Sequence, residues 1–289
     1  MNSDGSLIRI GVIFYGLGNQ MMSYLYYKAR TELTGEKIYL WAPRHKPLAD
    51  HNGYELNRLF GIKTVNRFWS WVFEQLYKHQ HNRIIRRFVS VRRDTLPDLS
   101  ASRPHCKPIH FIMAGDKDKD FYTKRREEIL QTYTFDESML NQQSRQWLDM
   151  MLHDTKSCSL HVRRGDYVGH PNFDGICTLT YYRNAIAEMQ HRVGDDVSFF
   201  VFSDDINWCR QQFGDNGYHY VDCNSGRDSW QDLMLISSCK HHIMANSTFS
   251  WWGSFLGQKA DSVIICPPQF TRKDHGENYP QSWIRCQNQ

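Results

Sequence analysis

Two adjacent arginines, placed where a short strand ends, are where this sequence concentrates its chemistry. They sit in SLHVRRGDY, residues 159–167. Residues 158–162 predict a short buried strand, with Arg163 and Arg164 where it ends. Neighbouring side chains of a strand point to opposite faces, so His161 and Arg163 share one face and Arg164 takes the other. Gly165 permits a sharp turn, and Asp166 stands close enough to pair with a guanidinium and fix its direction. Arginines at the carboxyl end of a core strand need a partner. A diphosphate fits, because the planar fork matches its oxygens bidentately. The competing reading is a plain strand-end ion pair with Asp166, since ion-pair networks imitate sites.

The elements that would position these groups can be read along the chain. Residues 7–14 form a β-rich apolar run that ends in YGLGNQ, after which Met21, Met22, Leu25, Tyr26 and Ala29 recur at helical spacing. This is strand, glycine turn, helix. Gly16 and Gly18 let the backbone approach a ligand, and the helix amino terminus offers free N–H groups. Gln20 and Met21 stand where a dinucleotide fingerprint has its third glycine, so a simple tight turn is the alternative. Residues 68–93, FWSWVFEQLYKHQHNRIIRRFVSVRR, read as a core helix. Phe68, Val72 and Leu76 form one stripe, with Trp69, Phe73 and Tyr77 beside it. Its basic residues face only Glu74 and Asp94. The outer face is either solvated, which is the preferred reading, or a surface that touches anionic membrane.

Residues 110–115 are apolar and run into DKDKD, residues 116–120. Spaced aspartates after a strand suit a divalent metal, but the intervening Lys117 and Lys119 favour a solvated loop. A hinge at 154–157 separates two domains, 1–153 and 154–289. Beyond it, strands at 158–163, 197–202, 218–221, 242–245 and 262–266 alternate with helices. The helix at 229–240 opens with the capping pattern Ser229-x-x-Asp232. Such alternation predicts an α/β fold with parallel sheets covered on both faces.

Open parallel sheets bind ligands beyond the carboxyl ends of their strands. Those ends gather Gly16, Gly18, Asn19 and Gln20 in the first half. In the second half they gather His161 to Tyr167, then Ser203, Asp204 and Asp205, then Asn246, Ser247, Thr248, Phe249 and Ser250. The last group is a hydroxyl-rich helix start suited to phosphate, followed by Trp251 and Trp252, which are either a wall for a base or sugar or simply core. Arginines and hydroxyls take the place of a metal.

Composition narrows the class. With 289 residues, 40% hydrophobic and 14% aromatic, the chain is globular and large enough for two domains. A net charge of +4 is too mild to argue for nucleic acid. No apolar run approaches the ~18 residues that span a bilayer, and the first residues lack the features of a signal peptide. The eight cysteines include no CxxC pair, and without an export signal they read as reduced thiols of a cytoplasmic protein.

HVRRGDY, FSDD (202–205), CKHHIMANSTFSWW (239–252) and GLGNQM (16–21) resemble the signatures of bacterial α-1,2-fucosyltransferases, glycosyltransferase family 11. REEIL (126–130) and CTLTYYRNAI (177–186) are also similar to segments of that family. One departure is Tyr15, where the family usually has glycine. The resemblance implies two Rossmann-like halves facing across a cleft, the GT-B type, with the acceptor on the amino-terminal side and the donor on the carboxyl-terminal side. It implies GDP-β-L-fucose as donor and inversion to an α-1,2 linkage on the terminal galactose of an oligosaccharide, which could be lipid-linked, with no cofactor and no metal required. Arg163 is then expected at the β-phosphate with Arg164 second and Asp166 orienting them. Ser247, Thr248 and Ser250 would complete the phosphate cradle, with Tyr167, Ser203, Asn246 and Phe249 also on the donor side. Asn19 would reach towards fucose and phosphate. Asp204 and Asp205 are expected at guanine or ribose, and His161 is the nearest candidate base, its basicity depressed by the arginines. The rivals are a fucosyltransferase of another linkage or acceptor and a non-catalytic GDP-sugar-binding protein.

Overall fold

The computed structural model describes residues 7–44, 51–94, 107–115, 120–274 and 279–288. They fall in two compact units, Met1–Thr134 and Phe135–Gln289. In the first unit the chain runs through β1 (Ile8–Val12), α1 (Leu17–Thr34), β2 (Ile38–Trp41), α2 (Leu56–Phe60), α3 (Arg67–Lys78), β3 (Val89–Asp94), β4 (Ile109–Ala114), α4 (Phe121–Lys124) and α5 (Arg126–Thr132). The strands pair in parallel in the order β2-β1-β4-β3. Ile10, Val12, Trp41, Phe73, Val89 and Phe111 fill one face of this sheet. On the other, α1 is pinned by Tyr27. Its buried hydroxyl lies 2.9 Å from the Val12 carbonyl and 2.6 Å from that of Ile112, and accepts the Ala114 N–H at 3.1 Å. Burial pushes this phenol far above its ordinary value.

The second unit contains α6 (Gln142–His153), β5 (Ser157–Val162), α7 (Leu179–Val193), β6 (Ser198–Ser203), α8 (Ile206–Phe213), β7 (Tyr218–Val221), α9 (Trp230–Ser238), β8 (His241–Ile243), α10 (Thr248–Gly257), β9 (Ile264–Cys266) and β10 (Ile284–Arg285). Its sheet is parallel, ordered β10-β9-β8-β5-β6-β7. All six residues of β5 are buried, as a central parallel strand covered on both faces requires, and its serines are satisfied inside: Oγ of Ser157 donates to the Met151 carbonyl at 3.0 Å and Oγ of Ser159 lies 2.8 Å from Nδ1 of His242. Cys158, Leu160 and Val162 face Tyr181, Tyr182, Ala185 and Met189 of α7. Side chains such as these contribute roughly 1.5–3 kcal/mol each on burial. Phe200 on the opposite face meets Trp147 of α6, ring centroids 6.2 Å apart. Gly253 lets α10 lie hard against α9, since a Cβ there would stand 2.2 Å from Cγ2 of Ile236. The seven described cysteines are free thiols. No helix among the described residues is long and apolar enough to cross a membrane.

Several expectations change. The division falls between Thr134 and Phe135 rather than at 153/154, because α6 belongs to the second unit. The Asn141 N–H donates to Oε1 of Gln231 at 2.8 Å and its Nδ2 to Asn224 at 2.8 Å, both partners lying beside α9. The single helix expected over 68–93 is a helix only to Lys78. After a short 3₁₀ turn (Ile85–Arg87) the chain becomes β3, an edge strand whose alternation is masked by Arg92 and Arg93. Ser70, Phe73 and Glu74 form the buried face of α3, while Phe68 and Trp69 are exposed. Ser229 precedes α9 without a side-chain cap, and Asp232 instead accepts a hydrogen bond from Asn224 at 2.7 Å. Burial raises that carboxyl to about 7. Trp251 and Trp252 are core, 1% and 0% exposed.

Tyr15 adopts φ +62°, a left-handed conformation that suits glycine. It is held there by Gln20, whose Nε2 donates to the Tyr15 and Gly53 carbonyls at 2.8 and 2.7 Å while its Oε1 accepts the Glu55 N–H at 2.9 Å. Left-handed backbone costs an L-residue roughly 1–2 kcal/mol, and a β-branched side chain suffers most. Tyr15→Gly is expected to melt at or above the parent temperature and Tyr15→Val below it. A valine variant as stable as the parent would contradict the strain.

Candidate active site

In the second sheet the chain steps outward from β5 through β6 to β7, then returns to β8 on the other side and continues to β9 and β10. The order therefore reverses between β5 and β8. In parallel α/β sheets the crevice beyond the strand ends at such a reversal is the ligand site. The residues at these two ends are Arg163 and Arg164 after β5, and Asn246 and Ser247 between β8 and α10, with Thr248 opening α10.

The two arginines follow the last residue of β5 and take different partners. Arg163 donates from Nε to Oδ1 of Asp166 at 2.8 Å, with Nη2 of the same fork 2.7 Å from that oxygen. The same Nε lies 3.2 Å from Oδ2 of Asp204. Arg164 pairs through Nε with Asp205 at 3.1 Å and lays its guanidinium over the Trp208 ring at 4.1 Å. These pairs leave further N–H donors on both forks. Asp204 does more than pair. Its two oxygens accept the backbone N–H groups of Arg164 at 2.9 Å and Gly165 at 3.0 Å, clamping the turn. Gly165 is required for that approach, since a Cβ would lie 2.8 Å from Oδ2 of Asp204. Asp205 caps α8 by accepting the Trp208 N–H at 3.2 Å, and its own N–H donates to Oγ of Ser203 at 2.9 Å. Both carboxylates expected at guanine or ribose are thus engaged with the arginines and their backbone.

Across the reversal, Tyr167 donates to the Asn246 carbonyl at 3.3 Å and stacks on Phe173, centroids 4.6 Å apart. Burial chiefly raises the Tyr167 phenol, to about 12. Asn246 is buried and donates to the Phe270 carbonyl at 3.2 Å, which anchors the β8–α10 turn. Ser247 is the N-cap of α10, its Oγ accepting the Phe249 N–H at 3.2 Å. Ser250 is buried and donates to the Ala245 carbonyl at 3.0 Å, so its proton serves the turn. Thr248, the first residue of α10, is half-buried. His161 lies beside Phe249, centroids 5.8 Å apart, and is 6% exposed. Its Nδ1 is buried with no hydrogen-bond partner among the described residues. Burial first, and then the Arg163 charge, lower its pKa to about 4. The ring is neutral near pH 7 and a weak base.

In the first unit Gly16 caps α1 through its backbone, and the Asn19 and Gln20 N–H groups reach its carbonyl at 3.0 and 3.1 Å. Gly18 is buried in the first turn of α1, and the Asn19 side chain is half-buried. Gln20 is 2% exposed and occupied on both ends of its amide by backbone, so it braces the turn. Asp116 and Asp118 lie outside the described residues. Sequence reading missed Trp208 and Phe173, the aromatic floors under Arg164 and Tyr167. The one signal for Trp208 was its place three residues after the cap Asp205, on the first turn of α8.

The family model for glycosyl transferase family 11 matches residues 109–287. An alpha-1,2-colitosyltransferase of Escherichia coli is 28% identical over 93% of this chain and 96% of that protein. The O-antigen biosynthesis glycosyltransferase WbnK of Escherichia coli is 33% identical over 58% of each chain. Galactoside alpha-(1,2)-fucosyltransferase 1 of Leontopithecus chrysomelas is 32% identical over 40% of this chain and 32% of that protein. Among solved structures, the apo form of POFUT1 superposes with a TM-score of 0.52 at 11% identity, covering 93% of this chain and all of that one. POFUT1 in complex with GDP gives 0.51 at 12% identity over 99% of each. These likenesses show the α/β fold of two parallel-sheet units that the sequence implied. With the arginine turn, its carboxylate clamp and the β8–α10 turn all inside the matched span, the chain belongs to glycosyltransferase family 11.

Proposed function

We propose that this protein transfers L-fucose from GDP-β-L-fucose to the 2-hydroxyl of a terminal β-galactose in an oligosaccharide, with inversion to the α linkage. The observation that carries the reading is the preset pair of guanidinia at the β5 end, beside an unpartnered buried ring nitrogen of His161. Breaking the anomeric C–O bond gives the sugar oxocarbenium character and leaves negative charge growing on the β-phosphate. Fixed positive charge where that charge develops lowers the barrier. Arg163 is the residue for the β-phosphate and Arg164 for its neighbour, with Asp166, Asp204 and Asp205 fixing their direction. Ser247 and Thr248 offer hydroxyls and the first amides of α10 to the same oxygens. His161, its pKa lowered to about 4 by burial and then by the Arg163 charge, is neutral near pH 7 and offers Nδ1 to the nucleotide as a hydrogen-bonding group. The acceptor 2-hydroxyl attacks the anomeric carbon from the face opposite the leaving GDP: the new C–O bond forms as the old one breaks, GDP leaves with the electron pair, and the hydroxyl proton passes to solvent water. The galactose acceptor rests on the likeness to the galactoside alpha-(1,2)-fucosyltransferase. A second reading, a colitosyl in place of a fucosyl donor, is favoured by the likeness to the colitosyltransferase.

No metal is needed in this reading. The guanidinia of Arg163 and Arg164 and the hydroxyls at the start of α10 take the diphosphate charge in its place.

A donor and acceptor screen tests the reading directly. GDP-fucose, GDP-colitose, GDP-mannose and UDP-galactose are each offered with β-galactosides, and the product linkage is read by NMR. Transfer from GDP-fucose to the galactose 2-hydroxyl is expected, and a product at another hydroxyl would move the chain to a different specificity. Arg163→Ala should lower turnover by at least ~10², the loss typical of one oxyanion-type donor. Activity within tenfold of the parent, with the fold intact by circular dichroism, would remove this arginine from the mechanism. Turnover should survive EDTA. Complete loss restored by Mn²⁺ or Mg²⁺ would instead assign ligand roles to Asp116 and Asp118.

A further inference from the structure

The first unit carries a surface that the transfer reaction does not use. On α3, Phe73 and Glu74 turn inward, while Phe68 and Trp71 stand three residues apart on the outer row, 64% and 62% exposed. Trp69 is exposed beside them. The segment after the helix repeats the pattern, with Ile84 and Phe88 exposed on either side of the 3₁₀ turn at Ile85–Arg87. Val72 and Leu76 of α3 and Ile85 of the turn pack into one hydrophobic cluster with Val89 and Phe111. Both segments therefore lie on the same side of the first sheet, and each turns large apolar side chains to the outside. The cations Arg67, Arg83, Arg86 and Arg87 are exposed on these same segments, with no ion-pair partner among the described residues. The one carboxylate of α3, Glu74, is buried and paired with Lys78 at 3.3 Å.

We propose that this surface docks on an anionic lipid bilayer. Large apolar side chains grouped on a protein surface mark an interaction site. Tryptophan with basic residues on an amphipathic helix is the composition that lies in a bilayer interface, rings at the headgroup level and cations among acidic headgroups. The charge decides the partner. A second copy would bring the same unpaired arginines face to face, and like-charge juxtaposition works against it. Single-stranded nucleic acid would use the aromatic rings for stacking, but Ile84 offers no such face, and the chain carries a net charge of only +4. The inference is independent of the donor or acceptor of the transferase.

Co-sedimentation with phosphatidylcholine vesicles, with and without phosphatidylglycerol, tests the proposal, using the full chain. Binding is expected only to the anionic vesicles at low salt, with a blue shift of tryptophan fluorescence, and is reversed at high salt because exposed charges are screened. Replacing Arg83, Arg86 and Arg87 together by serine should weaken partition by about a hundredfold, since each interfacial cation contributes several-fold. Phe68→Ser with Trp71→Ser should abolish the blue shift. Both variants are expected to keep the parent circular dichroism and the parent activity on a short soluble acceptor. Absence of vesicle binding at low salt, or binding unchanged in both variants, overturns the proposal. So does retention of a single-stranded oligonucleotide in place of vesicles, or a concentration-dependent dimer abolished by Trp71→Ser.

Discussion

The site in the second unit depends on one carboxylate being held by backbone rather than by charge. Asp204 accepts the N–H groups of Arg164 and Gly165, which would otherwise end β5 as unpaired donors. Because those amides cannot move without β5 moving, the carboxylate is fixed, and through it the Nε edge of Arg163. As contributions to stability these pairs are small. Their side chains are between 24% and 54% exposed, and such pairs typically give ~0–1 kcal/mol. Their consequence is orientation. Two flexible side chains, each with several rotamers to lose, are already restricted before a ligand arrives, which lowers the cost of binding.

The rigidity behind the clamp comes from the sheet. β5 is flanked by β6 and β8 and buried on both faces, so its carboxyl end is a fixed point in the unit. β6 delivers Ser203, Asp204 and Asp205 next to that end because it pairs with β5 in parallel register, His161 opposite Phe202 and Val162 opposite Ser203. β8 pairs on the other side, Leu160 opposite Ile243, and so brings the Asn246–Ser247 turn to the same edge. Three sequence segments far apart in the chain become neighbours through register alone. Tyr167, stacked on Phe173 and bonded to the Asn246 carbonyl, then ties the first to the third.

Most of this was legible in the sequence, and the misreadings have a common cause. Short, mostly apolar runs such as 197–202, bounded by turn residues and alternating with helical patterns, point to buried strands, and the residues after them to strand ends. The stretch 68–93 fails the same method because its largest apolar residues do not mark its buried face. Phe73 is inward, but so are Ser70 and Glu74. Oε2 of Glu74 accepts the Arg44 N–H at 3.2 Å, a long-range bond no periodicity reveals. β3 was hidden because Arg92 and Arg93 occupy an edge, where charge protects against further pairing. Asp232 was misassigned for a similar reason: its partner Asn224 lies before the helix and belongs to a network with Ser144 of α6. What side chains do locally was readable; where distant segments claim them was not.

The charge balance of the resting site bears on how a diphosphate could enter it. Two guanidinia face three carboxylates, Asp166, Asp204 and Asp205, so the cluster is not an open cationic pit. The carboxylates differ in what holds them. Asp204 is held by two amides and Asp205 by the first turn of α8, so both stay where they are whatever the arginines do. Asp166 has no such backbone anchor in its contact with Arg163, and it is the most exposed of the three. At the Nη2 edge of the Arg163 fork a phosphate would compete with Asp166, while Asp204 at Nε and Asp205 on Arg164 keep the guanidinia directed. In the proposed reaction the backbone-held carboxylates would orient the arginines, and Asp166 would occupy the Arg163 fork until an anion displaced it.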